Sequence, residues 1–498
     1  MAERIVLSGW GQVTQRKEAA PPFLDPVDLM EQAAREAGVL SGAGIWPRID
    51  ALLLVRPLSR NLREPAADLA RRLGITPRIV RLSGIGGETP QHFVNQAAGL
   101  LARAEARAVL ICGAETYYPR SAEAARGDGA IVQGRPADYD AEDGTGSDDY
   151  EQRHGLILPI HGFPLYETAL WAKSGLPLEA WLGRVGAMWS RFSEIAARHP
   201  NAWTREPLSA ARIVTPAPDN RPICFPYTKR MVSLVMADLG AAVILTTERE
   251  AKTLHGGGGK PVHFLGGAFA KDRQRHMVDK SDFTRGPAIA AAAARAQRRA
   301  KLRIEAIDGF DLYSCFPCAV TIAKNELGIA DDDPRDLTQT GGMGFFGGPG
   351  SNYALHGIAS LATHIASGKI RSGMATGVGW MIQKYAIGIY ADAPTDGDLR
   401  GCDREDLQSA GVGDPPLPRV EVAAGAGRLE TYTVIYGRDQ RPERGLLYGR
   451  TDEGLRFVAN SVADEQTFQR LTHENRVGAR VSLSHDPVRG INVAAFVD

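Results

Sequence analysis

Cysteine is scarce in this sequence and offers no disulfide framework. The chain of 498 residues contains 5 cysteines, an odd number spread over most of its length. They stand at positions Cys112, Cys224, Cys315, Cys318 and Cys402. Secreted proteins with disulfide frameworks carry many paired cysteines, whereas proteins of a reducing compartment carry few. The sequence therefore predicts a cytoplasmic protein.

The sequence also lacks long apolar segments and an excess of charge of either sign. No run of about 18 apolar residues occurs, and Met1–Val6 lacks the basic and apolar regions of a signal peptide. Lysine and arginine together number 58, equal to aspartate plus glutamate. Because a balanced charge creates no strong field, we expect neither nucleic acid nor a membrane as a partner. A small anion bound by a local basic patch is compatible with this balance.

What is present is an ordinary globular composition over several domains. Apolar residues make up 44% of the chain and charged residues 23%, as in typical globular proteins. Since one hydrophobic core rarely serves so long a chain, roughly two to four domains are expected.

A glycine-rich loop that opens a helix is the most distinctive local pattern. Gly341–Gly350 leads into a helix of small residues, Ser351–Ala366. The free N–H groups and the positive dipole end at such a helix start attract negative charge. A similar loop, Ile85–Pro90, precedes the helix Gln91–Ala104. Two such loops predict a duplicated architecture with one site between the halves.

The elements around the two loops follow in the same order. A helix and a buried strand, Asp28–Ala37 and Ile49–Val55, precede the first loop. Another such pair, Pro287–Arg299 and Ala306–Tyr313, precedes the second loop. Order and spacing together indicate an internal repeat. The alternation of strands and helices predicts a mostly parallel α/β sheet.

Two segments fall outside the repeat. Residues 117–230 contain an acidic stretch, Asp138–Glu151, and then tryptophan-rich helices, which indicates an insertion over one end of the sheet. Near the end of the chain, about five short alternating strands run from Glu430–Tyr436 to Ile491–Phe496. Short strands separated by turn residues predict a small barrel or an oligonucleotide-binding (OB) type of fold.

Four stretches of the sequence resemble the thiolase superfamily. They are Asp311–Pro317, Thr340–Tyr353, Asn220–Lys229 and Asp238–Ala242. The pattern is most similar to the sterol-carrier-protein-thiolase-like group called thiolase-like protein type 1, which carries an additional C-terminal domain. The resemblance implies a five-layer αβαβα thiolase fold. It implies an N-terminal half at 1–250 that includes the insertion, a second half at 251–400, and the OB-like domain at 415–498.

The same resemblance indicates that the reactive side chains of thiolases are missing. The loop that carries the thiolase nucleophilic cysteine reads Gly86-Gly87-Glu88 here. Gly348 stands in place of the Gly-His-Pro histidine, and Ala375 in place of the Cys-x-Gly cysteine. Without a thiolate there is no carrier for an acyl-enzyme, and without a base, deprotonation at carbon is slow. Ordinary thiolysis or Claisen condensation is therefore not expected.

Several residues near these motifs are candidates for a different chemistry. Cys315 is either a relocated nucleophile or a buried, inert thiol. Tyr313 and Tyr353 are candidates for an acid/base pair, as in thiolase-like retro-aldolases without the cysteines; their alternative role is aromatic packing. His356 and Glu88 are candidate bases, for which helix packing and a favourable helix-dipole position are the alternatives.

Acyl-coenzyme A (acyl-CoA) is the ligand that the resemblance implies. Backbone N–H groups at Gly86, Gly87 and Gly347 are candidates for binding it, since glycine supplies such donors as well as any residue. Arg221 and Lys229 are candidates for its phosphates, from their location in the fold. No metal and no tightly bound cofactor are expected. Thiolases usually dimerise, so a homodimer is implied, with a monomer as the alternative.

Three functions agree with this sequence. The first is an acyl-CoA-binding acyltransferase, similar to acetyl-CoA acetyltransferases of lipid metabolism, that works without the thiolase cysteines. The second is a retro-aldolase that cleaves a hydroxyacyl-CoA with Tyr313 and Tyr353 as acid and base. The third is a non-catalytic sensor or scaffold that only binds acyl-CoA.

Overall fold

The computed structural model describes residues 3–120, 146–255, 260–403 and 411–497. Its strands are β1 (Ile5–Thr14), β2 (Ile49–Leu54), β3 (Ile79–Leu82), β4 (Ala108–Thr116), β5 (Pro222–Cys224), β6 (Tyr227–Thr228), β7 (Asp238–Thr247), β8 (Val262–Lys271), β9 (Gly309–Asp311), β10 (Ser372–Gly379), β11 (Lys384–Ala391), β12 (Gly425–Tyr436), β13 (Pro442–Thr451), β14 (Arg456–Ser461), β15 (Arg480–Asp486) and β16 (Ile491–Phe496).

The longer helices complete the list of elements. They are α1 (Pro26–Ser41), α2 (Pro65–Leu73), α3 (Thr89–Ala102), α4 (Asp149–His154), α5 (Pro159–Ser174), α6 (Leu178–Arg198), α7 (Ala210–Val214), α8 (Glu248–His255), α9 (Pro287–Ala300), α10 (Pro317–Leu327), α11 (Tyr353–Ala366) and α12 (Glu465–His473). Most of the acidic stretch predicted at 138–151 lies outside the described residues.

The largest sheet has nine strands and contains the internal repeat. Its order is β3-β2-β4-β7-β1-β8-β11-β10-β9. Counted outward from the middle of the sheet, one side has the order β1-β7-β4-β2 and the other side has the order β8-β11-β10-β9. Strands at equal distances from the middle correspond to each other. The two halves meet where β1 and β8 pair in antiparallel fashion. The predicted duplication is therefore confirmed by strand order.

The prediction of a mostly parallel sheet is wrong. Only β3–β2, β2–β4 and β10–β9 pair in parallel among the neighbours in this sheet. The strands next to the centre are antiparallel: β4–β7, β7–β1, β8–β11 and β10–β11. β10 and β11 follow each other through a short turn, and a short turn can join only antiparallel strands. Sequence alternation alone does not distinguish these directions.

Helices fill both faces of this sheet and form the expected five layers. α3 and α11 contact strands of both halves and each other, so they lie between the halves. α1 covers the outer face of the first half, and α9 covers that of the second. Nearly all residues of α3 and α11 are buried, which fits their small and apolar composition. The αβαβα thiolase fold predicted from the resemblance is confirmed.

One buried carboxyl group links two helices of the insertion and β6. Glu167 on α5 accepts a hydrogen bond of 2.8 Å from the Trp181 indole on α6. It accepts another, of 2.6 Å, from the Tyr227 hydroxyl on β6. Burial raises the pKa of Glu167 to about 7, against the effect of these two bonds. The insertion therefore contains a carboxyl group that is mostly protonated, and so neutral, below a pH of about 7.

The C-terminal strands form the predicted barrel. Their order is β12-β13-β14-β16-β15, and β15 pairs again with β12, so five strands close on themselves. β14 and β16 are parallel, and α12 stands between β14 and β15 in the chain. This arrangement is the five-stranded barrel of an OB-like fold. The expectation of a small β-rich OB-like domain is confirmed.

The barrel is attached to the insertion and to the second half. β5 pairs with β12 at Cys224 and Ile435. The Tyr448 hydroxyl of β13 donates a 2.9 Å hydrogen bond to Glu151 on α4. The same carboxylate accepts a 2.6 Å bond from the Val278 backbone, just beyond β8. The barrel thereby fixes the position of the insertion above the sheet.

None of the helices in the described residues is long and apolar enough to cross a membrane.

Candidate active site

The two glycine loops lie side by side at the first turns of α3 and α11. The Gly86 N–H donates a 3.1 Å hydrogen bond to the Ser351 hydroxyl. Asn352, also before α11, donates through its side chain to the Gly113 carbonyl on β4 at 2.6 Å. These bonds join the first half to the second. The prediction that both loops frame one site agrees with this arrangement.

The third wall of the site is the segment that follows β9. The Tyr313 N–H donates a 2.8 Å hydrogen bond to the Thr376 hydroxyl on β10. The Tyr313 side chain is buried and its ring meets the Tyr353 ring edge to face, with 5.6 Å between the centroids. The segment therefore brings two of the predicted tyrosines into contact.

The Tyr313 hydroxyl occupies the space beside Gly87. A methyl group at position 87 would overlap this hydroxyl and the ring carbon that bears it. In the described part of the chain, the Tyr313 hydroxyl makes no hydrogen bond. Burial raises the pKa of Tyr313 well above its ordinary value, and nearby Cys315 and Glu88 raise it further. A neutral phenol thus fills the position next to the loop that carries the thiolase nucleophile.

Tyr353 belongs to a closed hydrogen-bond network rather than to an open pocket. Its hydroxyl lies 2.6 Å from the Thr340 hydroxyl and 3.4 Å from the Ser314 hydroxyl. Burial raises the pKa of Tyr353 well above its ordinary value. The Thr340 hydroxyl also contacts Asp311 at 3.2 Å. The acid/base role of Tyr353 stays a prediction, and this network identifies a strong structural role beside it.

Asp311 is the centre of this network, and sequence reasoning did not single it out. One of its carboxyl oxygens accepts bonds from the Thr338 hydroxyl at 3.1 Å and the Gln339 N–H at 2.8 Å. Burial raises the pKa of Asp311, whereas these bonds lower it. The carboxyl group holds the irregular segment Thr338–Thr340, which leads into the glycine loop. An acidic residue within the buried strand Ala306–Tyr313 was the available signal, since unpaired buried acids are rare.

The glycine loop is fixed by bonds to the insertion, to the segment before β7 and to the segment after β9. The Gly348 N–H donates to the Leu234 carbonyl at 2.8 Å, and the Trp203 N–H donates to the Phe346 carbonyl at 2.8 Å. The Met343 N–H donates to the Ser314 hydroxyl at 3.0 Å. The N–H group of Gly86, one of the donors expected to serve a ligand, and that of Gly348 therefore already have protein acceptors. The N–H groups of Gly87 and Gly347 have none in the described part of the chain.

Cys315 lies behind Tyr313 and has the surroundings of an inert thiol. It is buried, and burial raises the pKa of its thiol. Its carbonyl accepts bonds from the N–H and hydroxyl of Ser233, at 3.2 and 2.9 Å. A thiol with a raised pKa gives little thiolate at neutral pH. The relocated nucleophile is therefore the less favoured interpretation of this cysteine.

His356 packs within α11 against its neighbours. Its Nδ1 lies 2.9 Å from the Gln12 side-chain oxygen on β1. Its ring is 5.0 Å from the Phe346 ring. Burial lowers the pKa of His356 to about 3, so the imidazole is neutral at physiological pH. The structure places it beside β1 and Phe346 rather than beside Tyr313.

Glu88 faces a lysine that sequence reasoning missed. The Lys384 ammonium at the start of β11 lies 3.9 Å from the Glu88 carboxylate, and both side chains are buried. A methyl group on Gly377 would stand 2.7 Å from the Glu88 Cα. The absent side chain at Gly377 lets β10 approach the first loop closely. No local pattern connects positions 88 and 384, because only the tertiary fold brings them together.

Arg221 and Lys229 lie together at the open end of the β5–β6 hairpin. The Lys229 N–H donates a 2.9 Å bond to the Arg221 carbonyl. The Lys229 side chain is exposed and that of Arg221 is half-buried. The next residue is Arg230. A methyl group added to Gly344 of the glycine loop would lie 3.8 Å from the Arg230 carbonyl oxygen. The backbone just after Lys229 therefore approaches the loop, and phosphate binding by Arg221 and Lys229 stays a prediction.

The described residues contain no group of three or more metal-ligating side chains suited to an ion. The site contains phenols, backbone N–H donors and the Glu88–Lys384 pair.

The C-terminal region and the whole chain are each similar to proteins of one group. Residues 406–487 match the model of the thiolase-like protein type 1 additional C-terminal domain. The whole chain is similar to a monomeric SCP2-thiolase like protein type 1 from Mycobacterium smegmatis. The identity is 29%, 99% of each chain is covered and the TM-score is 0.83. The chain is thus similar to a thiolase-like protein of type 1 along its length, and its C-terminal region matches the additional domain of that group. The monomeric relative fits the monomer alternative.

Two other solved structures share the thiolase-like part of the fold. The Ltp2-ChsH2(DUF35) aldolase is 18% identical over 78% of this chain and 98% of that chain, with a TM-score of 0.62. Human mitochondrial 3-ketoacyl-CoA thiolase is 16% identical over 78% of this chain and 99% of that chain, with a TM-score of 0.55. At these identities the likeness concerns the fold alone. No curated protein matches the chain.

Proposed function

We propose that this thiolase-like protein binds an acyl-CoA thioester between its halves and acts on it without an acyl-cysteine intermediate. The observation that carries the proposal is the Tyr313 phenol against Gly87. A side chain cannot occupy position 87 while Tyr313 keeps this place. Both glycine loops that frame the site are present. In place of a cysteine nucleophile, the site has a proton donor, the Tyr313 phenol.

The two helix starts supply the electrostatic part of the site. α3 and α11 begin beside each other, and each presents the positive end of its dipole to the same region. The N–H groups of Gly87 and Gly347 have no acceptor in the described protein and suit a thioester oxygen. Arg221 and Lys229 suit the phosphates at the surface. Together these groups match a ligand with a polar thioester and an anionic end.

Tyr313 determines the kind of reaction. Its raised pKa keeps the phenol protonated, so it donates a hydrogen bond or a proton to an oxygen of the ligand. Direct acyl transfer from coenzyme A to an acceptor fits this role, because donation to the thioester oxygen stabilises the tetrahedral intermediate. In that step the acceptor–carbon bond forms, the carbon–sulfur bond breaks, and the acceptor's proton leaves with the thiol.

A retro-aldol cleavage is the second candidate, and the same phenol favours it. In that reaction the hydroxyl proton of a hydroxyacyl-CoA leaves and the bond between the α and β carbons breaks. A carbonyl compound and a thioester enolate result, and the enolate then takes up a proton. In this proposal Tyr313 donates to the enolate, whereas the Tyr353 hydroxyl lies 2.6 Å from the Thr340 hydroxyl and is engaged there. A purely binding protein would show neither reaction.

Binding and the absence of a covalent intermediate are tested together. Acetyl-CoA titrated by calorimetry should bind, and intact-mass measurement afterwards should find no acetyl group on the protein, because its cysteines are buried thiols. Lys229→Gln should weaken acetyl-CoA binding by about tenfold, the loss of one charge-assisted bond, and leave an acetyl-pantetheine ligand unaffected.

The control is Lys301→Gln, which removes a lysine from the far end of α9. It should bind acetyl-CoA like the unmodified chain. An absence of heat with millimolar acetyl-CoA would contradict the proposal, and a stable acetyl adduct on Cys315 would replace it with ordinary cysteine chemistry.

Tyr313→Phe tests the phenol itself. Acyl-CoA binding should persist, while the rate of acyl transfer or hydroxyacyl-CoA cleavage should fall by about 100-fold, as expected for loss of a general acid. Tyr390→Phe is the matched control, since Tyr390 is also buried and donates to Gln91 at 2.8 Å elsewhere in the core. Equal rates for both variants would remove Tyr313 from the mechanism.

A further inference from the structure

A cavity of about 530 Å³ lies between the insertion and the second half of the fold. Its walls come from the end of α5, from α6, from α10 and from the segment at 330–337. Tyr313 and the two glycine loops are not among the described residues that line it. A methyl group on Gly342 would stand 2.6 Å from a carbon of the Phe192 ring, which belongs to the cavity wall. The cavity is therefore a neighbour of the candidate active site with walls of its own.

Apolar side chains form much of the wall. Trp181, Met188 and Phe192 line the cavity from α6, and their spacing of seven and four residues places them on one face of the helix. Leu170 on α5 and Leu337 add to this apolar surface. Cavities of this size with apolar walls and a few polar groups are typical of small-molecule sites. The wall therefore favours a ligand with a hydrocarbon part.

Positive charge exceeds negative charge among the polar groups that line the cavity. Arg184 on α6 and Lys324 on α10 both pair with Asp331, so two cations face one carboxylate. Lys173 at the end of α5 donates a 3.0 Å hydrogen bond to the Thr284 hydroxyl and forms no ion pair in the described part of the chain. The other lining arginines are matched one to one, in the pairs Arg191–Asp336 and Arg335–Asp333.

Two helix ends reduce this excess of positive charge without removing it. Lys173 and Lys324 stand in the last turns of α5 and α10, where the helix dipole is negative. Each helix end carries roughly half a negative charge, so together they offset about one of the two surplus positive charges. The cavity thus keeps a positive charge next to its apolar wall.

We propose that this cavity binds a medium-chain aliphatic carboxylate, with its carboxylate at Lys173 and Arg184 and its chain against Met188 and Phe192. Lysine and arginine both donate charge-assisted hydrogen bonds to a carboxylate. The apolar wall rewards burial of the chain, and methionine adapts to its shape. An alcohol of the same length uses only the wall, and inorganic phosphate uses only the cations. The site does not depend on the proposed binding of acyl-CoA.

Octanoate, octan-1-ol and inorganic phosphate are the probes that test the site. On the full chain, titrated by nuclear magnetic resonance or calorimetry, octanoate should bind saturably and the other two about tenfold more weakly. Lys173→Gln and Arg184→Gln should each weaken octanoate binding by about tenfold, the effect of losing one charge-assisted hydrogen bond. Arg184→Gln leaves Asp331 paired with Lys324, so it strands no carboxylate.

A matched pair of variants at Ala187 separates charge from shape. Ala187 is exposed on α6 and lines the cavity, so a substitution there leaves the core intact. Ala187→Asp adds a negative charge and should weaken octanoate binding by about tenfold relative to Ala187→Asn, which has the same shape without the charge. Lys17→Gln removes an exposed lysine after β1 and should leave octanoate binding unchanged.

Acetyl-CoA distinguishes this site from that of the proposed function. It should bind all of these variants like the unmodified chain and should not displace octanoate. The proposal is overturned if octanoate does not bind, if octan-1-ol or phosphate binds as tightly, if Ala187→Asp and Ala187→Asn bind octanoate equally, or if acetyl-CoA displaces it. Octanoate binding by a chain that does not bind acetyl-CoA would support this site and contradict only the proposed function.

Discussion

Gly87→Ala should destabilise the protein by roughly 3 kcal/mol, the upper range for overpacking a well-filled core. The added methyl group would overlap the Tyr313 hydroxyl, and Tyr313 has little room to withdraw. Its ring is buried and rests against Tyr353 at 5.6 Å, and its backbone is bonded to Thr376. The free energy of unfolding, measured with urea, reports the effect directly.

A glycine just before the same loop provides the control for this experiment. A methyl group at Gly84 meets no atom within 4 Å, so Gly84→Ala should change stability little. In a Tyr313→Ala background the effect of Gly87→Ala should largely disappear, since the overlapping ring is gone. If Gly87→Ala is as stable as Gly84→Ala, the Tyr313 hydroxyl does not fill this space and the proposed function loses its main support.

Glu167→Gln should change how stability depends on pH. Below its ordinary pKa of 4.5 the Glu167 carboxyl is protonated in both the folded and unfolded states. Between this value and about 7 the unfolded chain releases the proton while the folded protein keeps it, so the folded state loses stability as pH rises. Above that range both forms are ionised and the loss is complete, at roughly 3 kcal/mol.

Glutamine imitates the neutral carboxyl group and removes this loss. Its oxygen can still accept from Trp181, and its amide can donate to the Tyr227 hydroxyl, the two partners of Glu167. Relative to the unmodified protein, the variant should therefore gain roughly 3 kcal/mol between pH 4.5 and 7.5. Urea unfolding at several pH values measures it. Glu194→Gln, at an exposed position of α6, is the control, and a parallel pH profile for both variants would contradict the argument.

The sequence predicted the repeat and the barrel because both depend on local patterns. Hydrophobic runs, helix composition and glycine loops recur in order along the chain, and they remain visible without any tertiary contact. The five C-terminal strands are separated by turn residues, so their number was predictable. Strand direction was not, since β7 follows the insertion and turns back antiparallel to β4. Such pairing depends on residues more than a hundred positions apart.

The candidate site was predicted less completely than the fold. The glycine loops, Tyr313 and Tyr353 meet, as their motifs suggested. His356 instead packs against β1. The N–H groups of Gly86 and Gly348 donate hydrogen bonds to Ser351 and Leu234. A motif predicts which residue stands at a position. It does not predict which hydrogen-bond acceptors that residue already has, because these come from distant segments of the chain.

By itself, the sequence predicted a thiolase-like, duplicated fold, and its resemblance to thiolases predicted that the side chains of ordinary thiolysis are missing. Those properties depend on which residues occur and on their order along the chain. Only the tertiary structure decided that Tyr313 fills the space at Gly87, that Asp311 holds the glycine loop, and that Glu88 meets Lys384. Each is a contact between segments far apart in the chain, and such contacts form only when the two halves close around α3 and α11.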